Sequence, residues 1–120
     1  MLIQENVLNK NDCVLDNFKL INKEEIISFL NKHTGFMEFI EKVYVLIRKY
    51  FPKYSYALLY VIDPEIKNYD HLMLFINGDE KVHAEDRLKL KDLEKEIRKL
   101  KISNFSLKNL LLVDVWYYGF

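Results

Sequence analysis

The chain predicts a small α+β domain: two N-terminal helices, a β-hairpin, a long helix and a C-terminal strand, joined in one small, mainly antiparallel sheet. Three observations carry this. The apolar period is helical from about Lys23 to Phe51, falls to 2 between Tyr54 and Gly78, and returns to helical spacing over residues 84–102 before the terminal LLLVDVWYYGF. Punctuation is sparse, at 3 Gly and 2 Pro, and each falls at or beyond the end of one of these segments. Half of the 120 residues are hydrophobic and 14% are aromatic, enough for one packed core and too little chain for two. Residues 1–120 therefore read as a single domain. Residues 22–118 form its α+β core, and residues 1–21 are either a small hairpin or an irregular lead-in.

The first helix runs from about Lys23 to Lys32. Asn22 stands at the N-cap, Glu25 completes a capping-box pattern, and Ile21 and Ile26 are placed as a hydrophobic staple. Gly35 follows as a residue able to take positive φ. The second helix spans about Phe36 to Phe51 on the stripe Phe36, Phe39, Ile40, Val43, Ile47 and Tyr50, and Pro52 stops it. YSYALLYVID and YDHLMLFING are alternating strands joined by DPEIKN, which makes an antiparallel hairpin. The third helix carries Leu90, Leu93, Ile97 and Leu100 in one stripe, with Glu85–Lys89 and Glu94–Arg98 spaced as i,i+4 pairs. LLLVDVWYY is the third strand. It lies beside one of the hairpin strands, and the helix before it is long enough for a parallel crossover or an antiparallel return.

Strict alternation places Ala57, Leu59, Val61, Leu72, Leu74, Ile76, Leu111, Val113 and Val115 on the core face. The other face then carries Tyr56, Leu58, Tyr60 and Ile62, then His71, Met73 and Phe75, then Leu112, Asp114, Trp116 and Tyr118. That face is too apolar to stand open to water. Tyr56, Tyr60, Phe75, Asp114, Trp116 and Tyr118 are its candidate interface residues. Cover by residues 1–21 or a helix, cover by a second copy or a protein partner, and a base-stacking platform are the three readings. The last lacks the Lys or Arg that phosphates require.

Catalytic signals are weak. Cys13 is the only cysteine and is flanked by Asp12 and Asp16, which disfavour a thiolate. A lone thiol and an N-terminus without a basic-then-apolar leader suit the cytoplasm, and no apolar run reaches the ~18 residues of a membrane span. Asp63, Glu65, Asp70, His71, Asp79, Glu80 and His83 cluster near the hairpin turns. They are spread over both ends of the hairpin and read as solvated acids rather than a metal site. His33 closes the first helix, where a cation complements the dipole. No catalytic, metal or cofactor-binding residue is assigned.

Net charge is zero, with 18 Lys plus Arg against 18 Asp plus Glu. The basic helix 84–102 is the exception, yet its cations alternate with acids.

The run YFPKYSYALLYVIDPEIKNYDHLMLFI, a helix and a terminal LLLVDV resembles a small prokaryotic α+β family of unassigned function, over roughly residues 22–116. Those motifs are a helix stop, a turn and two strand patterns, so the resemblance implies a fold and no activity. The third helix here is longer and richer in lysine than in that family. The expected function is a non-enzymatic protein-binding or regulatory module, with a homodimer as one form. A nucleic-acid-binding regulator using helix 84–102 is the alternative, and a small metal-dependent hydrolase comes third.

Overall fold

The computed structural model describes residues 14–66, 69–78, 80–102 and 104–117. The elements run β1 (Phe18–Leu20), α1 (Lys23–Lys32), α2 (Phe36–Tyr50), β2 (Ser55–Ile62), β3 (Asp70–Asn77), a 3-10 turn (Glu80–Val82), α3 (His83–Lys99), a second 3-10 turn (Phe105–Leu110) and β4 (Leu111–Trp116). The four strands lie side by side in chain order.

The sheet is mixed, which corrects the expectation of a mainly antiparallel one. β2 and β3 form the antiparallel hairpin, whereas β1 runs parallel to β2 and β4 parallel to β3. The reason is the length of the connections. α1 and α2 together, and α3 alone, each carry the chain back along the sheet so that the next strand starts from the same end. β1 lies in the stretch whose reading was open, and residues 1–13, where the other arm of the expected hairpin would fall, lie outside the described residues. Its ladder with β2 continues past Leu20, where the Ile21 N–H donates to the Leu58 carbonyl (3.0 Å).

Helices α1, α2 and α3 cover one face of the sheet. From α1, Ile26, Phe29 and Leu30 point inward. From α2, Phe36, Phe39, Ile40, Val43 and Ile47 do so, and from α3, Leu90, Leu93 and Ile97. Phe29 meets Phe36 edge-on at 5.1 Å, and Phe36 meets Phe39 at 5.7 Å. Gly35 joins α1 to α2 at φ 89°, the left-handed conformation that a side chain would strain. α3 lies against α2 through Lys49–Glu96 (4.0 Å), and the Lys42 ammonium donates to the Lys101 carbonyl (2.8 Å).

The cap of α1 differs from its expected form. Asn22 makes no side-chain bond to the helix. Its Oδ1 accepts from the Tyr60 N–H (2.8 Å), and its Nδ2 donates to the Tyr60 carbonyl (2.9 Å). Ile21 is 47% exposed while Ile26 is fully buried, so the expected staple does not form a shared buried contact. Neither expected i,i+4 pair of α3 is closed: the ion pairs among the described residues are Lys32–Asp70, Lys42–Glu38, Lys49–Glu96 and Arg87–Asp114.

Candidate functional site: the sheet face away from α1, α2 and α3

The strand register decides which residues share a face. Tyr56 lies beside Ile76, Leu58 beside Leu74 and Tyr60 beside Leu72, and these join Leu111, Val113 and Val115 under the helices. The expected assignment for β2 is therefore inverted: Tyr56, Leu58 and Tyr60 face the core, and Ala57, Leu59 and Val61 face away. Both faces of β2 are apolar, so alternation alone carries no signal for which one turns inward. Tyrosine supplies the volume that the α1–α2 layer needs, and each hydroxyl finds an acceptor. Tyr56 donates to the Phe51 carbonyl, and Tyr60 donates to Asp70 Oδ2 (2.7 Å). Burial pushes the Tyr56 phenol up, and the bond to Asp70 pushes the Tyr60 phenol up. Tyr56 and Tyr60 thus leave the candidate interface.

The face away from the helices is built in rows across the strands. Ser55, Asn77 and Trp116 form one. Lys19, Ala57, Phe75 and Asp114 form the next, then Leu59, Met73 and Leu112, then Val61 and His71. Phe75 and Trp116 meet at 5.4 Å between ring centroids. Trp116 is 40% exposed and Leu112 45%, while Leu59, Val61, Met73 and Phe75 are half-buried. The polar groups sit mainly at the margins. Asp114 pairs with Arg87 of α3 at 3.0 Å and its Oδ1 also accepts from the Val115 N–H (2.8 Å). His71 is buried and stacks on Tyr69 at 5.0 Å. Of the expected interface residues, Phe75, Asp114 and Trp116 are therefore together here. Tyr118 lies outside the described residues, as does most of the 1–21 segment weighed as a cover.

The hairpin acids do not converge. Asp63 Oδ1 accepts from the Glu65 and Ile66 N–H groups (2.8 and 3.2 Å), which organises the DPEI turn. Asp70 sits at the same end with Tyr60 and Lys32, whose ammonium is 3.4 Å away. The Tyr60 hydroxyl and then Lys32 hold its carboxyl below the usual carboxylate range. His83 packs on Tyr117 at the other end (5.0 Å). Asp79 and Cys13 lie outside the described residues. Among the described residues no three His, Cys, Asp or Glu side chains are grouped to hold a metal ion, and no helix is long and apolar enough to cross a membrane. His33 closes α1 through its N–H to the Phe29 carbonyl (3.1 Å), with its ring against Phe29 at 4.4 Å.

Two polar residues have anchoring roles that their sequence positions did not indicate. One is Asn22, described above. The other is Asp86, which falls in a run of charged residues yet is fully buried. Its Oδ1 accepts from the Tyr54 hydroxyl (2.9 Å), and its Oδ2 has no hydrogen-bond donor. The one available signal was its phase: Asp86 is four residues before Leu90 and seven before Leu93, on the inward stripe of α3.

Comparison with models of known protein families, with curated proteins and with solved structures gives no significant match to this chain. The α+β class of the domain thus rests on its own elements.

Proposed function

We propose that this domain is a non-enzymatic protein-binding module that self-associates through the sheet face away from α1, α2 and α3. The observation that carries the reading is the row structure of that face, where Trp116, Phe75, Met73, Leu59 and Leu112 form one continuous apolar surface on the side away from α1, α2 and α3. Large contiguous apolar patches are uncommon on monomers and mark association surfaces. Methionine, leucine and phenylalanine in the middle, tryptophan beside them and charges at the rim is the composition of such an interface. Two copies packed face to face would place Trp116 against the partner sheet and leave Lys19 and the Arg87–Asp114 pair at the border.

Sedimentation velocity across protein concentration tests this. The wild type is expected to reach a dimer, and Trp116→Glu to remain monomeric with an unchanged circular dichroism spectrum. A wild type that stays monomeric at about 100 μM, where even a modest interface would populate the dimer, overturns the reading.

A further inference from the structure

A second surface, which shares only Leu112 with that face, lies along the outer side of β4. β4 is an edge strand, and no described residue pairs with its outer side. The Gly78 N–H donates to the Trp116 carbonyl (2.8 Å), which turns the Trp116 main chain toward β3. Main-chain groups alternate in direction along a strand, so those of Val113 and Val115 point outward. The Val115 N–H is occupied by Asp114 Oδ1 (2.8 Å). The outward N–H and carbonyl of Val113 have no hydrogen-bond partner among the described residues. The edge is thus blunted at one end and open in its middle.

The open part is the floor of a groove. Ile97 and Arg98 of α3 form one wall, Lys108 the end, and Leu111, Leu112 and Val113 the floor. Arg98 is exposed and its guanidinium is in no ion pair among the described residues. The Lys108 ammonium donates to the Arg98 carbonyl (2.6 Å), which leaves two of its three protons for another acceptor. Glu94 is the one acid in the lining, so the groove is cationic overall.

We propose that this groove takes an extended peptide segment of another protein as a fifth strand, paired through Val113, with a peptide carboxylate between Arg98 and Lys108. Strand addition draws its affinity from main-chain hydrogen bonds and its selectivity from alternate side chains, and here the groove supplies an apolar wall and floor, at Ile97, Leu111, Leu112 and Val113, and two cations. A second copy of this chain fits less well. The acid on its own β4, Asp114, is already held by Arg87 and the Val115 N–H.

The probe is a capped synthetic peptide of alternating valine and glutamate, with a valine–lysine counterpart as control. Amide hydrogen exchange of Val113 and fluorescence anisotropy are the readouts, on wild type and on Trp116→Glu, so that the outcome is separate from that of the sheet face. The glutamate peptide is expected to slow Val113 exchange at least tenfold and to bind at least tenfold more tightly than the lysine peptide. Arg98→Glu, with an unchanged unfolding temperature, is expected to reverse that preference. Equal binding of the two peptides, or no change at Val113, overturns the proposal. So does Val113 exchange that is already slow without peptide, which would mean that this chain covers its own edge, or that slows as protein concentration rises, which would mean a second copy does.

Discussion

The carboxamide of Asn22 spends both of its hydrogen bonds on the main chain of one residue, Tyr60, thirty-eight positions later. Donor and acceptor are used as a strand would use its own N–H and carbonyl, so the side chain extends the β1–β2 ladder beyond the point where the backbone turns into α1. This fixes the start of α1 to the sheet rather than capping it.

Asn22→Asp separates the two roles. Aspartate is as good an N-cap as asparagine, but it has no N–H for the Tyr60 carbonyl and sets a carboxylate oxygen against it. The variant is expected to lose about 1–3 kcal/mol of stability. Urea unfolding measures it, and an unchanged midpoint would mean that the bridge is unimportant.

Gly78 follows β3 where three side chains close in. A Cβ there would lie 2.6 Å from Val115 Cγ1 and 2.9 Å from both Asp86 Oδ2 and Tyr117 Cε1. Gly78→Ala is therefore expected to cost about 1–3 kcal/mol through overpacking. Asn77→Ala, one residue earlier on the open face, should cost much less. Thermal unfolding of the two compares them.

The half-buried Tyr54 and the buried Asp86 form a hydrogen-bonded couple. Tyr54→Phe leaves the Asp86 carboxylate without its one hydroxyl donor and is expected to cost about 1–3 kcal/mol. Asp86→Leu removes the polar partner as well. In a double-mutant cycle the pair should be destabilised by less than the sum of the singles, with a coupling above about 0.5 kcal/mol. Additive losses would mean that the bond contributes nothing.

Asp70 and Tyr60 give stability opposite dependences at the two ends of the pH scale. The carboxyl of Asp70 is held below its ordinary 3.8, so the folded state binds fewer protons there. Its contribution is present above 3.8 and is lost as pH falls through the lower, folded value. The Tyr60 phenol is raised above 10.0, so its contribution is present below 10.0 and is lost as pH rises through the higher, folded value. Tyr60→Phe should shift the acid loss to higher pH and remove the Tyr60 part of the alkaline loss. Unfolding curves at both extremes, with an NMR titration of the Asp70 carboxyl, follow both effects.

Much of the element order was legible because period and punctuation agreed. α1 begins after Asn22 and ends at Lys32 as expected, though Gly35, expected just past its end, stands instead before the first residue of α2, and β2, β3 and β4 fall inside their expected runs. Three things were hidden, each for a physical reason. β1 is three residues long, too short for any period to show. The face of β2 was undetermined because Tyr56, Leu58 and Tyr60 are as apolar as Ala57, Leu59 and Val61, and only the pairing with Leu72, Leu74 and Ile76 decides between them. Asp86 hid among the charges of α3, since composition cannot distinguish a buried carboxylate from its solvated neighbours. The candidate surface was half legible: Phe75, Asp114 and Trp116 belong to strands whose polar or large residues fixed their phase, whereas Tyr56 and Tyr60 do not.

The two parallel pairings carry one last consequence, and it concerns chirality. β1 to β2 and β3 to β4 step in the same direction across the sheet, but the two pairs of strands point oppositely, and both crossovers pass over the same face. Two such crossovers cannot share a hand: one is right-handed and the other left-handed. Nearly all parallel crossovers are right-handed, because a single helix returning over a twisted sheet packs well only that way. That constraint falls hardest on the single-helix unit β3–α3–β4. It is weaker for β1, which meets β2 over only three residues and reaches it through two helices. A left-handed turn at β1 would make the Asn22–Tyr60 bridge the fastening of the strand least favoured by the winding of the sheet, and the first to detach when the domain opens.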